Sequence, residues 1–221
     1  MDRHRTSRGF TLVELGVVMT IVVVLGAIAV SSFSRQLPRS NLNSAASELQ
    51  AAMHGARQHA LATGRDVWVM VFPQYVSSSG TGRIIVYEDA ASTFAAGGTL
   101  TVGNYDPATL AFVAPGQVVT TFDLPTGIVV GPATGRGTSA TLRAPLAGVD
   151  VTRACSFCST SGDGRGAVRF RSNGSASFYA GSTLQTVTGG ASMGLNAAAV
   201  NRTWTLVVTS AAGAVQLLPG G

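Results

Sequence analysis

Apolar and polar positions fall into three successive patterns along the 221 residues. The first is a near-continuous apolar run. From Thr11 to Val30 only Glu14 is charged, and a helix of about twenty residues spans roughly 30 Å, one hydrocarbon core. The second has a helical period. Between Ser31 and Thr63, Leu42, Ala45, Ala46, Leu49, Ala52, Met53, Ala56 and Ala60 recur at three- and four-residue steps, while Ser40, Asn43, Ser47, Gln50, Arg57 and Gln58 fall mostly elsewhere. This predicts an amphipathic helix with a narrow, alanine-rich stripe able to approach a sheet closely. Pro38 predicts a kink or a brief break. Thr63-Gly64 predicts the stop, with glycine past the last turn.

After Gly64 the period becomes that of strands. Asp66 to Phe72 is β-branched or aromatic on both faces, which predicts a central strand. Ser77 to Gly82 is a turn, and Arg83 to Glu88 returns. Further strands are predicted at Leu110–Ala114, Val118–Phe122, Ile128–Val130 and Thr138–Arg143, punctuated by Gly and Pro. Two hairpins close the chain. Ala167–Arg171 and Ser175–Ala180 flank Asn173-Gly174, and Thr203–Thr209 and Ala214–Leu218 flank Ala211-Ala212-Gly213. The expected fold class is α+β: a long N-terminal helix, half membrane-type and half amphipathic, packed on an antiparallel sheet or sandwich.

Composition adds little to this. Hydrophobic residues make up 46% and charged residues 11%, which one membrane segment and a small-residue β body account for. All fifteen basic residues are arginine. Three of them, with Asp2, precede Gly9; without that leader, twelve arginines face nine carboxylates, a net charge of +3. So small an excess is no argument for nucleic acid by itself.

Candidate chemistry in the body is sparse. Cys155-Ser156-Phe157-Cys158 lacks the second ligand pair that zinc needs, and the loop-like Ser159 to Gly164 follows it where a redox motif would open a helix. A local disulfide tying a loop is favoured over two free thiols. His54 and His59 are five residues apart, roughly 140° around a helix, too far apart to share a metal readily. No hydrolase elbow, zinc-protease or phosphate-loop motif is present. Asp163-Gly164-Arg165-Gly166 reads as a turn, too poor in carboxylates for calcium. Arg165, Arg169 and Arg171 form a candidate nucleic-acid patch, set against the plainer reading of a solvated strand face. No cofactor and no catalytic residue is expected.

The N-terminus is more specific. Arg3, Arg5 and Arg8 precede the apolar run, which predicts a cytoplasmic N-terminus and an external body. Glu14 costs about 2.5–3.5 kcal/mol inside a bilayer, so it either snorkels or finds a positive partner. Ala27-Ile28-Ala29 offers a rival, secretory-signal reading, but the run is longer than such signals and gives Glu14 no purpose. Arg8-Gly9-Phe10-Thr11-Leu12-Val13-Glu14-Leu15 resembles the leader of type IV prepilins and type II secretion pseudopilins. The resemblance implies cleavage by prepilin peptidase after Gly9, N-methylation of Phe10, and Glu14 as the assembly carboxylate pairing with a neighbour's new terminus.

The resulting division is a leader (1–9), a membrane and assembly helix (10–30), an amphipathic helix (31–63) and a β-rich body (64–221). The layout of the body resembles, loosely, the H-type minor pseudopilins and FimT-like minor pilins. The resemblance implies a structural subunit in a type IV pilus or type II secretion pseudopilus, and not an enzyme. Its partners would be other pilin subunits, prepilin peptidase, an inner-membrane assembly platform and membrane lipid. The alternative is a DNA-binding minor pilin of an uptake machine. Some FimT-like proteins use arginines in the last hairpin for this, but Ala212 to Gln216 here contains none.

Overall fold

A computed structural model describes residues 11–90, 94, 100–132, 142, 146, 148–187 and 189–220, and of 30–35 only the backbone. Among the described residues one α-helix, α1 (Leu12–Thr63), precedes ten strands. The chain divides into two compact units, one ending at Leu37 and one beginning at Pro38.

Helical structure continues through Pro38 without the predicted interruption; the proline falls instead at the boundary between the units. The helix ends as expected. Gly64 adopts φ +70, and its N–H bonds Ala60 O at 3.0 Å. That left-handed position caps the helix and suits glycine because no Cβ clashes there.

Within the second unit, one sheet runs β3 (Gln117–Asp123), β2 (Thr81–Asp89), β1 (Asp66–Val76), β5 (Gly166–Phe170), β6 (Ala176–Ala180) and β7 (Thr183–Gln185). The other runs β10 (Val215–Pro219), β9 (Arg202–Thr209), β8 (Gly190–Ala197) and β4 (Ile128–Val130). Every pairing is antiparallel.

The alanine stripe is the reason the helix can serve both sheets. Leu42, Ala45, Ala46, Leu49, Met53, Ala56 and Ala60 are buried in a core shared with Val67, Val69, Val71, Val168 and Phe170 of the first sheet and Met193, Leu195, Leu206 and Val208 of the second. Strand β1 is buried on both faces, as its sequence predicts. Val67, Val69 and Val71 face the helix, while Trp68, Met70 and Phe72 meet Phe94, Val102 and Tyr105 on the outer side. Burial of apolar surface stabilises at about 25 cal/mol per Å², and β1 contributes it on both faces.

Both predicted closing hairpins form, β5–β6 and β9–β10. Leu110–Ala114 does not form a strand. Leu110 takes φ +50, and Gly116 N–H closes a turn onto Val113 O at 2.8 Å, just beyond a cis bond at Pro115. Without its N–H, Pro115 cannot join a ladder there. The expected strand Thr138–Arg143 lies, except for Leu142, outside the described residues. Strand β8 was not expected at all.

Candidate functional site

Gly9 and Phe10 lie outside the described residues, so the N-terminal site is seen from Thr11 onward. Thr11 is the N-cap of α1. Its Oγ1 accepts the Glu14 N–H at 3.2 Å, and its carbonyl accepts the Leu15 N–H at 3.1 Å. Glu14 therefore stands three residues after the cap, where a carboxylate also complements the positive end of the helix dipole.

Beyond it, Leu12–Ala29 is long and apolar enough to cross a membrane, and none of it is buried. The hydroxyl of Thr20 bonds Gly16 O at 2.9 Å, so this polar group needs no water. The site is thus an unburied apolar cylinder with one carboxylate a turn from its capped end. Such a surface calls for lipid or for other helices, and the carboxylate calls for a cation.

Residues 4–30 match the family described as the prokaryotic N-terminal methylation motif. No curated protein and no solved structure matches the chain. The motif indicates a prepilin-peptidase substrate of the pilin and pseudopilin class, whose members are structural subunits that assemble with one another. The match ends at residue 30 and does not extend into the β-rich body; a long N-terminal helix followed by antiparallel sheets is a pilin-like α+β fold.

In the body, Cys155 and Cys158 are joined by a disulfide. The short segment around it adds to the second sheet beside β4. Cys155 bridges Met193, Ser156 N–H bonds Ser192 O at 2.8 Å, and Gly194 N–H bonds Ala154 O at 2.8 Å. Phe157 packs on Phe178 in the shared core. The loop is therefore a structural clasp. Two open hollows of about 410 and 270 Å³ flank it, and both are bordered by Arg153.

The three candidate arginines do not make a free patch. Arg165 holds Asp163 at 2.5 Å and donates to the carbonyls of Val102, Gly103 and Tyr105. Arg169 is paired with Asp66 and lies over the Trp68 ring, 5.4 Å from its centroid. Arg171 alone is exposed. A strand pattern reveals which way a side chain points, but not that an acid 103 residues away will meet it.

Sequence reasoning missed one ionic cluster. Glu88 is 2% exposed and takes His59 Nε2 at 2.7 Å, Arg65 at 2.6 Å and Gln117 Nε2 at 3.2 Å. The His59 hydrogen bond foremost, then that of Arg65, outweighs burial and pulls the Glu88 carboxyl down to about 2. His54 lies apart from it. Among the described residues no group of three or more His, Cys, Asp or Glu could hold a metal.

Proposed function

We propose that this chain is a minor pilin or pseudopilin that prepilin peptidase cuts after Gly9 and methylates on Phe10. The single observation that carries this reading is the motif leading into an apolar helix that has one carboxylate and no burial of its own. Cleavage turns an amide into an ammonium on Phe10, placed to neutralise Glu14 of a neighbouring copy. Pairing at low dielectric offsets the desolvation of the acid, and it favours one axial register of helix against helix. The inner membrane is the staging point, with the N-terminus cytoplasmic and the body outside, because Arg3, Arg5 and Arg8 precede the span.

Within the class, the order of elements after the helix supports the H-type minor pseudopilin and FimT-like groups. The first strand pair follows the helix directly, and two hairpins close the chain. A type II secretion pseudopilus or a type IV pilus is the assembly this reading names. Intact-mass measurement of the chain recovered from membranes tests it. The expected species starts at Phe10 and carries one extra methyl group. A mature chain starting at Ser31 overturns it in favour of an ordinary secretory signal.

A further inference from the structure

The two cysteines of the chain border a hollow that the N-terminal motif does not explain. Its volume is about 410 Å³, and its lining includes Gln74, Arg153, Cys155, Cys158, Ser159 and Thr160. Cys155 and Cys158 are otherwise well covered, at 6% and 7% exposure, so a reagent reaches the bridge through the hollow.

Among the described residues the lining carries one charge, that of Arg153, and no carboxylate. Acids close in sequence are engaged elsewhere. Asp150 borders the smaller hollow and not this one, and it accepts the Thr152 N–H at 2.9 Å and hydroxyl at 2.6 Å. Asp163 is paired with Arg165. Arg153 is exposed, and its Nη1 donates to Ser156 O at 3.4 Å. A guanidinium on the same hollow as a disulfide attracts an incoming thiolate and favours the departing one.

The backbone keeps the two cysteines in place whether or not they are joined. Ser156 N–H bonds Ser192 O, and Gly194 N–H bonds Ala154 O, both at 2.8 Å. Phe157, between the cysteines, is buried in the shared core. Strand β5 backs the turn, since a Cβ at Gly166 would stand 2.8 Å from Phe157 O and 2.9 Å from Cys158 Cα. After cleavage the thiols therefore stay in register, and the same bridge can re-form.

We propose that Cys155–Cys158 is a site of thiol–disulfide exchange in the folded body, where Arg153 draws a partner's thiolate into the hollow. The incoming thiolate forms a bond to one bridge sulfur as the Cys155–Cys158 bond breaks. The other sulfur leaves as a thiolate with the bonding pair. A second thiol of the partner, giving its proton to solvent, then attacks the mixed disulfide and releases the second cysteine. The bridge gains two electrons and two protons, and the partner's dithiol becomes a disulfide. Run backwards, the same steps install the bridge after the body has folded. The exchange does not depend on entry into a filament.

The test uses the full chain in detergent micelles without denaturant, with reduced thioredoxin as the protein dithiol and reduced glutathione as the small thiol. Alkylation and intact mass count the thiols, and near-ultraviolet circular dichroism of the buried Trp68 reports that the body stays folded. Thioredoxin is expected to reduce the folded chain. A thioredoxin variant lacking its second cysteine should accumulate as a mixed disulfide, and with two cysteines in the chain every adduct maps to the bridge. Glutathione reacting as fast assigns the hollow to small thiols, whereas thioredoxin reacting alone assigns it to a protein. In Arg153→Gln the rate should fall roughly threefold to tenfold at low salt, and the difference should close as salt is added. The urea midpoint of that variant should not move, because Arg153 is exposed. Reduction that begins only in unfolding urea, or that runs equally fast in Arg153→Gln at every salt concentration, overturns the proposal and leaves the bridge a sealed structural tie.

Discussion

His59 and Glu88 meet at 2.7 Å although 29 residues separate them, and the contact fastens the last turns of α1 to β2. Arg65 occupies the other carboxylate oxygen. Because the Glu88 acid is depressed from 4.5 to about 2, the folded state binds its proton less readily than the unfolded chain does. Its stabilisation is fully present above about pH 4.5 and is lost as pH falls through about 2. At neutral pH it is on the order of 3 kcal/mol. Urea unfolding followed from pH 7 to acid should show that decline in the wild type. Glu88→Gln should be less stable at pH 7 by a similar amount and lack this part of the acid limb. An unchanged acid limb in the variant would remove Glu88 from the account.

The disulfide prediction is more modest. Cys155 and Cys158 are three positions apart, and closing so short a loop restricts the unfolded chain by about 2 kcal/mol. Reduction, or Cys155→Ser/Cys158→Ser, should lower the urea midpoint by about that much and leave the domain folded. The ladder bonds that tie Ser156 N–H and Ala154 O to Ser192 and Gly194 of β8 hold the clasp without the bridge. Complete unfolding on reduction would show that the clasp is the keystone of the second sheet.

How far the chain could be read from its sequence follows the range of each interaction. The alanine stripe of α1 and the two-faced β1 were legible because burial repeats with a local period. The Asn173-Gly174 hairpin was legible because its turn chemistry is local. Strand β8, Gly-Ala-Ser-Met-Gly-Leu-Asn-Ala, was not. It has no β-branched residue, and it is a strand because β9, β4 and the cysteine segment pair with it. Glu88 was legible only as the end of the returning strand, because His59 meets it through the fold and not through any local pattern. Arg169 was read as part of a candidate nucleic-acid patch, and the fold pairs it with Asp66. At the N-terminus, Thr11 and Glu14 were legible as parts of a motif, and the cap they form needs only a four-residue window.

For Arg169 the fold predicts a structural effect. Its side chain is largely buried against Asp66 and Trp68, so Arg169→Gln strands a carboxylate and should cost about 2 kcal/mol in unfolding experiments. Arg171→Gln, on the exposed side of the same hairpin, should change stability by less than about 0.5 kcal/mol. Gel shifts at low salt separate this from the DNA-uptake alternative. Retardation that disappears with Arg171→Gln and falls steeply with added salt would favour that alternative. No retardation of the wild type is expected.

Glu14 gives the sharpest test, because the structure separates its two roles. The helix start depends on the Glu14 backbone N–H reaching Thr11 Oγ1, a bond that alanine or glutamine at position 14 makes equally. Glu14→Ala and Glu14→Gln therefore keep the cap and remove only the carboxylate. Thr11→Ala does the reverse, weakening the cap by about 1 kcal/mol. If Glu14 pairs with the Phe10 ammonium of a neighbour, both Glu14 variants should be cleaved and anchored normally. Their incorporation into filaments should fall by tenfold or more, the effect of losing about 1.4 kcal/mol, with an unchanged unfolding profile for the body. Thr11→Ala should assemble better than either. Quantifying the subunit in sheared filaments and in membranes gives both readings from one culture. Normal incorporation of Glu14→Ala would end the pairing idea and leave the carboxylate as a residue that merely reaches for the headgroups.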